Sequence, residues 1–351
     1  MHLLIVKTSS LGDVIHTLPA LTDALSYDPS LTCDWVVEEG FAEVPSWHPV
    51  VMRVLPVALR RWRKHPLQMW KKGEWQAFKN ALGARDYDKI IDAQGLIKSA
   101  FLSYQAKGTR YGFDRDSARE GLATWAYQHK FNIANDIHAV ARTRRLFAAA
   151  LGYPVPDTPP DYGILPHFKV SYHAPMPSIM LLHGTTWETK HYPEPYWAEL
   201  TDYMVSAGYE VRIPWGNTVE KQRAEALAAR HPTQIVVVPK GGLYNLALEL
   251  LHTLAVVGVD TGLAHLAAAL QVPSVTLYGA TNAIKTGTFG ENQLHLQAAY
   301  PCSPCLKKSC KHYETLEVSP ACYRTLPPGK VWQTLQPLLN SLEVGITQLN
   351  R

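Results

Sequence analysis

A short run of branched apolar residues, Leu3-Leu4-Ile5-Val6, leads directly into the polar turn Lys7-Thr8-Ser9-Ser10-Leu11-Gly12-Asp13, and no other feature narrows the fold as much. Such a run reads as a strand buried on both faces of a parallel sheet. Beyond the turn, Leu11, Val14, Ile15, Leu18, Leu21 and Leu25 recur at helical spacing. Ser9 or Ser10 is placed to cap that helix, and Gly12 lets the backbone approach a ligand. Asp13 is therefore expected in the first helical turn, at the carboxyl edge of the first strand. Open α/β sheets bind their ligands at that edge, and the helix dipole there favours an ionised carboxylate. Aspartate is also common at helix starts for structural reasons alone. Here, however, Lys7, His16 and two serines share the turn, more than a structural loop needs. No G-x-G-x-x-G follows the strand, so the dinucleotide fingerprint is absent.

The strand–helix alternation continues with strands over 33–37, 50–55 and 89–92 and helices over 75–84, 97–106 and 137–151. The proline-rich stretch 153–160 interrupts it, and the segment up to Pro177 is similarly broken. The pattern then restarts, with strands over 179–182, 210–213, 235–238, 254–259 and 274–278 and helices over 194–207, 219–230, 243–252 and 263–270. Repeated βα units with short loops predict doubly wound sheets. The expected architecture is α/β, with two Rossmann-like domains facing across a cleft. The first spans 1–165, a linker 166–177, and the second 178–327. The terminal helix 328–342 is expected to cross back onto the first domain. A length of 351 residues accommodates two such domains.

Met1–Val6 reads as a strand rather than a signal peptide, and no apolar run reaches the length of a membrane span. The expected compartment is the cytosol. The net charge of +4 does not by itself imply nucleic acid. Between Val50 and Gly73, however, lie Arg53, Arg60, Arg61, Arg63, Lys64, Lys71 and Lys72, with no acidic residue and with Trp62, Met69 and Trp70 interleaved. That composition suits an anionic, partly apolar surface such as lipid head groups. A solvated loop is the alternative. No nucleic-acid recognition motif accompanies the run, so nucleic acid is not an expected partner.

Two further turns carry chemistry. Val257-Gly258-Val259-Asp260-Thr261-Gly262-Leu263-Ala264-His265 repeats the opening design: a buried strand, then a polar glycine turn that starts a helix. Its helix-start amides and the Thr261 hydroxyl suit a phosphate. His183-Gly184-Thr185-Thr186-Trp187-Glu188-Thr189-Lys190 offers two threonines and a lysine after a strand, which suits a diphosphate. A capped structural turn and a polar surface loop are the respective alternatives. The spacing of Cys302, Cys305, Cys310 and Cys322 resembles that of a metal site, with His312 nearby. In a reducing compartment, structural zinc or free thiols are expected before disulfides. The strings Asp86-Tyr87-Asp88 and Asp114-Arg115-Asp116 are too short to carry weight.

The stretches Ile5–Leu21, Asp34–Phe41, Ile91–Leu96 and Val259–His265, and less specifically Pro214-Trp215-Gly216, resemble the lipopolysaccharide heptosyltransferases of glycosyltransferase family 9. The resemblance runs from Met1 to about Tyr278 and implies a GT-B fold. It implies inverting transfer of heptose from ADP-heptose to the first Kdo sugar of Kdo2-lipid A. It also implies a peripheral position on the cytoplasmic face of the inner membrane and no cofactor for catalysis. By motif, Asp13 is the expected general base. Thr185, Thr186 and Lys190 are expected at the donor diphosphate and Glu220 near its ribose. Asp260, Thr261, Gly262 and His265 match the donor loop. Arg60, Arg61, Arg63, Lys64 and Arg119 are the expected contacts for acceptor carboxylates and phosphates. The cysteine-bearing segment 301–325 lies outside the family pattern. A member adding the second heptose and a non-catalytic nucleotide-sugar binder are the rivals; the opening K-T-S-S-x-G-D-x-x-H favours the first-heptose reading.

Overall fold

Leu3, Leu4, Ile5 and Val6 are wholly buried, and the strand they form is the centre of its sheet. A computed structural model describes residues 1–168, 177–312 and 318–349. It divides into two units, Met1–His167 and Phe168–Arg351. Of the expected linker 166–177, residues 169–176 lie outside those described.

The first unit contains β1 (His2–Val6), β2 (Thr32–Glu38), β3 (Val51–Val57), β4 (Lys89–Asp92), β5 (Thr109–Phe113) and β6 (His129–Phe131). They form one parallel sheet in the order β3-β2-β1-β4-β5-β6. The second unit contains β7 (Ser178–Leu182), β8 (Glu210–Ile213), β9 (Ile235–Val237), β10 (Ala255–Val259), β11 (Ser274–Tyr278) and β12 (Gln293–Gln297). Its parallel order is β12-β11-β10-β7-β8-β9. Numbered within its own unit, each sheet has the doubly wound order 3-2-1-4-5-6. In that order the winding reverses between the first and fourth strands, and ligands bind at the carboxyl ends beside the reversal. The two reversals lie between β1 and β4 and between β7 and β10.

Every residue of β7, β10 and β11 is buried, as strands covered on both faces require. The terminal helix corrects the sequence-based expectation. Helix Pro328–Leu349 packs Val331, Leu335 and Leu339 into the second unit's core, with Leu181, Val257 and Leu277 of its central strands. The spacing of those three residues gives the helix an apolar face, and the second sheet receives it. Among the described residues, no helix is long and apolar enough to cross a membrane.

Candidate active site

The loop after β1 is held by the strand that flanks it across the reversal. The Gln94 side-chain oxygen, just beyond β4, accepts the Thr8 N–H at 2.9 Å and the Ser9 N–H at 3.2 Å. Its amide nitrogen donates to the Ser9 carbonyl at 2.5 Å. Gln94 is itself set by buried Asp92, whose carboxylate accepts the Gln94 and Gly95 N–H groups at 2.8 and 3.1 Å and the Tyr127 hydroxyl at 2.7 Å. Gly95 has φ +68°, and a Cβ there would press on the Phe113 ring at 3.3 Å. The sequence stretch Ile91–Leu96 is thus the clamp on the loop that carries Asp13.

Asp13 lies in the short helix Leu11–Ile15 and accepts the Ser10 N–H at 2.8 Å and the Ser10 hydroxyl at 3.0 Å through Oδ2. Its Oδ1 meets Arg119 Nη2 at 2.5 Å and Lys7 Nζ at 3.9 Å. Burial pushes the Asp13 carboxyl up, but Lys7, then Arg119, the Ser10 N–H and His16 outweigh it and hold the group well below the usual carboxylate range. Lys7 donates to the Ala93 carbonyl at 2.8 Å. Burial pulls its ammonium down to about 8, against the raising influence of Asp13.

Lys7, Asp13, His16, Phe113, Arg119 and Arg142 line one pocket of the first unit. Arg142 was not expected from the sequence. It comes from helix Ala139–Leu151, lies 4.8 Å over the Phe113 ring and donates to the Ser117 carbonyl at 2.7 Å. Its Nε is buried without a hydrogen-bond partner. Lys7, Arg119 and Arg142 thus share the pocket with the single Asp13 carboxylate, an arrangement suited to an incoming anion.

The basic run forms two short helices, Leu59–Lys64 and Pro66–Lys71. Arg60, Arg63 and Lys64 are exposed. Arg61 differs, because its guanidinium is shared between Glu39 at 3.0 Å and Glu74 at 2.8 Å. Those carboxylates come from outside the run, so the run's sequence gave no sign of them.

In the second unit, Asp260 follows β10 and its carboxylate gathers the turn. Lys190 Nζ lies 2.7 Å from Oδ2, the Thr281 hydroxyl donates to the same oxygen at 2.6 Å, and His265 Nε2 lies 3.6 Å from Oδ1. Burial raises the Asp260 carboxyl, but His265 and Lys190 outweigh it and hold the group well below the usual range. Thr185 donates to the Asp260 carbonyl at 3.4 Å, and Thr186 lies exposed in the same loop. Thr261 is the N-cap of helix Gly262–Ala269. Glu220 accepts the Gly216 N–H at 2.7 Å. A Cβ on Gly184 would meet the Glu220 carboxylate at 2.8 Å, so this close approach of loop and carboxylate needs glycine. Buried His183 bridges the Pro214 carbonyl at 3.1 Å and Arg223 at 3.3 Å. Burial and Arg223 pull it down to about 4, so it is neutral, donates from Nε2 and accepts at Nδ1. The second unit thus brings together Thr185, Lys190, Asp260 and His265, and separately the Gly184–Glu220 contact. Thr281 and His183 join them without a sequence motif of their own.

The profile of Glycosyltransferase family 9 (heptosyltransferase) matches residues 75–315. The chain belongs to this family. Lipopolysaccharide heptosyltransferase 1 of Pseudomonas aeruginosa is 50% identical over 349 residues, 97% of this chain and 98% of that protein. The protein of the same name from Escherichia coli K12 is 48% identical, over 85% of this chain and 94% of its own. The solved structure described as E. coli heptosyltransferase WaaC with ADP superposes with a TM-score of 0.85 at 44% identity, covering 96% of this chain and all (100%) of that one. The same enzyme with ADP-2-deoxy-2-fluoro heptose gives 0.83, over 96% of this chain and 99% of that one. This family 9 glycosyltransferase therefore has the GT-B fold expected.

All five cysteines are free thiols. Cys302, Cys305 and Cys310 lie near enough to add to the burial that pushes the Cys322 thiol up to about 12. Among the described residues, no three His, Cys, Asp or Glu side chains are arranged to hold a metal, the zinc expected at Cys302, Cys305, Cys310 and Cys322 included. Cys322 is buried in the second core, behind Gly279, while Cys302 is exposed. Of the D-x-D strings, Asp88 accepts the His2 N–H at 2.7 Å from 86 positions away and Asp114 the Ser117 N–H at 2.9 Å, both backbone-holding bonds.

Proposed function

We propose that this family 9 enzyme transfers heptose from ADP-heptose to the first Kdo of Kdo2-lipid A, with inversion. The observation that carries the reading is the ionised Asp13 among Lys7, Arg119 and Arg142 at the first sheet's reversal. Kdo is a sugar acid, and its carboxylate suits that cationic pocket. Arg119, whose side chain is 45% exposed, is free to turn from Asp13 to the acceptor. Asp13 then removes the proton from the attacking Kdo hydroxyl, whose oxygen bonds to the heptose anomeric carbon as the bond from that carbon to ADP breaks, in one step with ADP leaving.

On the donor side, Lys190 and the amides at the start of helix Gly262–Ala269 take the charge that builds on the departing ADP. Thr185 and Thr186 lie along the diphosphate, Glu220 receives the ribose, and Asp260 with His265 orients the turn. The solved relatives carrying ADP and an ADP-heptose analogue support this side of the reading. Arg60, Arg63 and Lys64 meet the lipid phosphates. Exposed Leu67 (75%) and Trp70 (69%) on the adjacent helix suit contact with an anionic bilayer, hence a peripheral position at the cytoplasmic face of the inner membrane.

The test is a donor–acceptor matrix read by mass spectrometry. ADP-heptose with Kdo2-lipid A should give a product one heptose heavier, and an acceptor already carrying the first heptose should give none. Product only from the second acceptor would move the chain to the second-heptose activity, and no product from either would make it a nucleotide-sugar binder.

A further inference from the structure

The cysteine-bearing segment lies against the donor loop. Tyr323, wholly buried, donates its hydroxyl to the Lys190 carbonyl at 2.8 Å. Two residues on, Tyr192 returns the contact, donating to the Leu326 carbonyl at 2.8 Å, and the two rings meet edge-on at 5.3 Å. On the other flank, the buried Thr189 hydroxyl donates to the Lys307 carbonyl at 2.5 Å and its N–H to the Lys308 carbonyl at 3.4 Å. Residues 189, 190 and 192 are thus tied to both described ends of the segment.

The segment is anchored in turn to the loop after β11. Ser303 donates to the Gly279 carbonyl at 2.6 Å and the Leu306 N–H to the Ala280 carbonyl at 2.8 Å. A Cβ on Gly279 would meet the Tyr323 ring at 3.0 Å, so the glycine makes room for that ring. The next residue but one, Thr281, holds the Asp260 carboxylate. Lys190 and Asp260, which form one ion pair, are therefore supported from two joined pieces of chain: Lys190 through its backbone by Tyr323 of the segment, Asp260 through its side chain by Thr281 of the loop that anchors it.

We infer that residues 302–312 and 318–326 set the position of the Lys190 ammonium for the donor diphosphate, with Tyr323 as its positioning residue. This rests on the donor role proposed above for Lys190. A flexible lysine acts as a point charge, so its contribution to a phosphate depends on where its backbone is held. Tyr323 touches neither reactant; it acts through Lys190.

The experiment is a double-mutant cycle on the full chain, with ADP affinity by calorimetry and KM for donor and acceptor measured separately. Tyr323→Phe removes one hydroxyl and keeps the buried ring. Its ADP affinity should fall about 5-fold, the order expected for one hydrogen bond, with donor KM rising in step and acceptor KM unchanged. In a Lys190→Ala background the same substitution should change ADP affinity by less than 2-fold, because the group it positions is gone. Thr189→Val gives a second, near-isosteric variant with the same expected pattern. Should Lys190→Ala alone leave ADP affinity unchanged, the donor reading fails and takes this inference with it. Should Lys190→Ala weaken ADP while Tyr323→Phe and Thr189→Val have no effect, or an equal effect in both backgrounds, only the positioning role is overturned.

Discussion

Replacing Asp13 by Asn should separate the base from its electrostatic surroundings, because the local contacts say what the amide keeps and what it loses. An Asn oxygen still accepts the Ser10 N–H, now 2.8 Å from Oδ2, so the turn stays closed. The position of Oδ1 passes to an NH₂ group facing Arg119, and that half-exposed guanidinium moves out to solvent at little cost. Loss of a positioned general base costs roughly 10²–10⁴ in turnover, or about 3–5 kcal/mol in the barrier. Charge works the other way. Removing the one carboxylate among Lys7, Arg119 and Arg142 makes the pocket more attractive to an acidic acceptor, so acceptor KM should hold or fall. Lys7 also loses the partner that raises its pKa, and should deprotonate below its present value of about 8. ADP affinity should not move, since every donor contact proposed above belongs to the second unit. Steady-state kinetics with both substrates varied, together with ADP calorimetry, gives all three readouts. Turnover within a few-fold of wild type would remove Asp13 as the base. A loss confined to acceptor KM would make it a binding group instead.

Lys190→Ala and Asp260→Ala should each weaken ADP by roughly 10-fold or more, the order for a hydrogen bond to a charged group, with acceptor KM unchanged; unchanged calorimetric affinity in both would refute a donor site at this pair. Neutralising Arg60, Arg63 and Lys64 together should raise acceptor KM and weaken binding to anionic vesicles, with added salt mimicking the change; Arg61→Ala should do less to vesicle binding, because Glu39 and Glu74 already hold its charge. Lys7 gives a stability test with a definite sign. Its pKa falls from 10.5 to about 8 on folding, so between these values the unfolded chain binds more protons and stability rises with pH, by up to about 3 kcal/mol. Denaturant midpoints for wild type minus Lys7→Met, compared at pH 7.5 and pH 10, should show that rise, and a flat difference would contradict a buried ammonium.

The parts of the fold that could be read from sequence are those where one residue type had one physical use. Leu3–Val6, Ile179–Leu182 and Ala255–Val259 are buried on both faces, and only apolar runs fit there. The edge strands His129–Phe131 and Gln293–Gln297 escaped, because an edge strand keeps polar residues that read as loop. At the site, Asp13, Lys190, Asp260 and His265 stood out since each follows a buried strand through a glycine-bearing turn. Gln94 lay in a recognised stretch, yet its task was hidden, as its partners Thr8 and Ser9 are 86 and 85 positions away. Arg142 sits in an amphipathic helix where arginine is ordinary, and only the fold places it over Phe113. The cysteines were ambiguous for another reason. Their spacing is compact along the chain, whereas Cys322 is packed into the core beside Tyr323 and its thiol is held neutral.

Both reversals carry the same device, a lysine against an aspartate, and the difference in its tightness follows the difference in task. In the second unit Lys190 and Asp260 are 2.7 Å apart with side chains 16% and 8% exposed, and Thr281 and His265 complete the carboxylate's contacts. A carboxylate so fully engaged is a poor proton acceptor, and its use is to hold a turn and a cation in place. In the first unit Lys7 stands off at 3.9 Å from Asp13, and the close partner is Arg119, whose side chain is 45% exposed. The Asp13 carboxylate is therefore covered by a group that can leave. In the proposed mechanism, Arg119 turns to the incoming carboxylate, Asp13 loses one of the two strongest influences holding its pKa down, and its basicity rises with acceptor binding. On that proposal the same residue pair is a strut in one sheet and, through the half-exposed Arg119, a base that acceptor binding uncovers in the other.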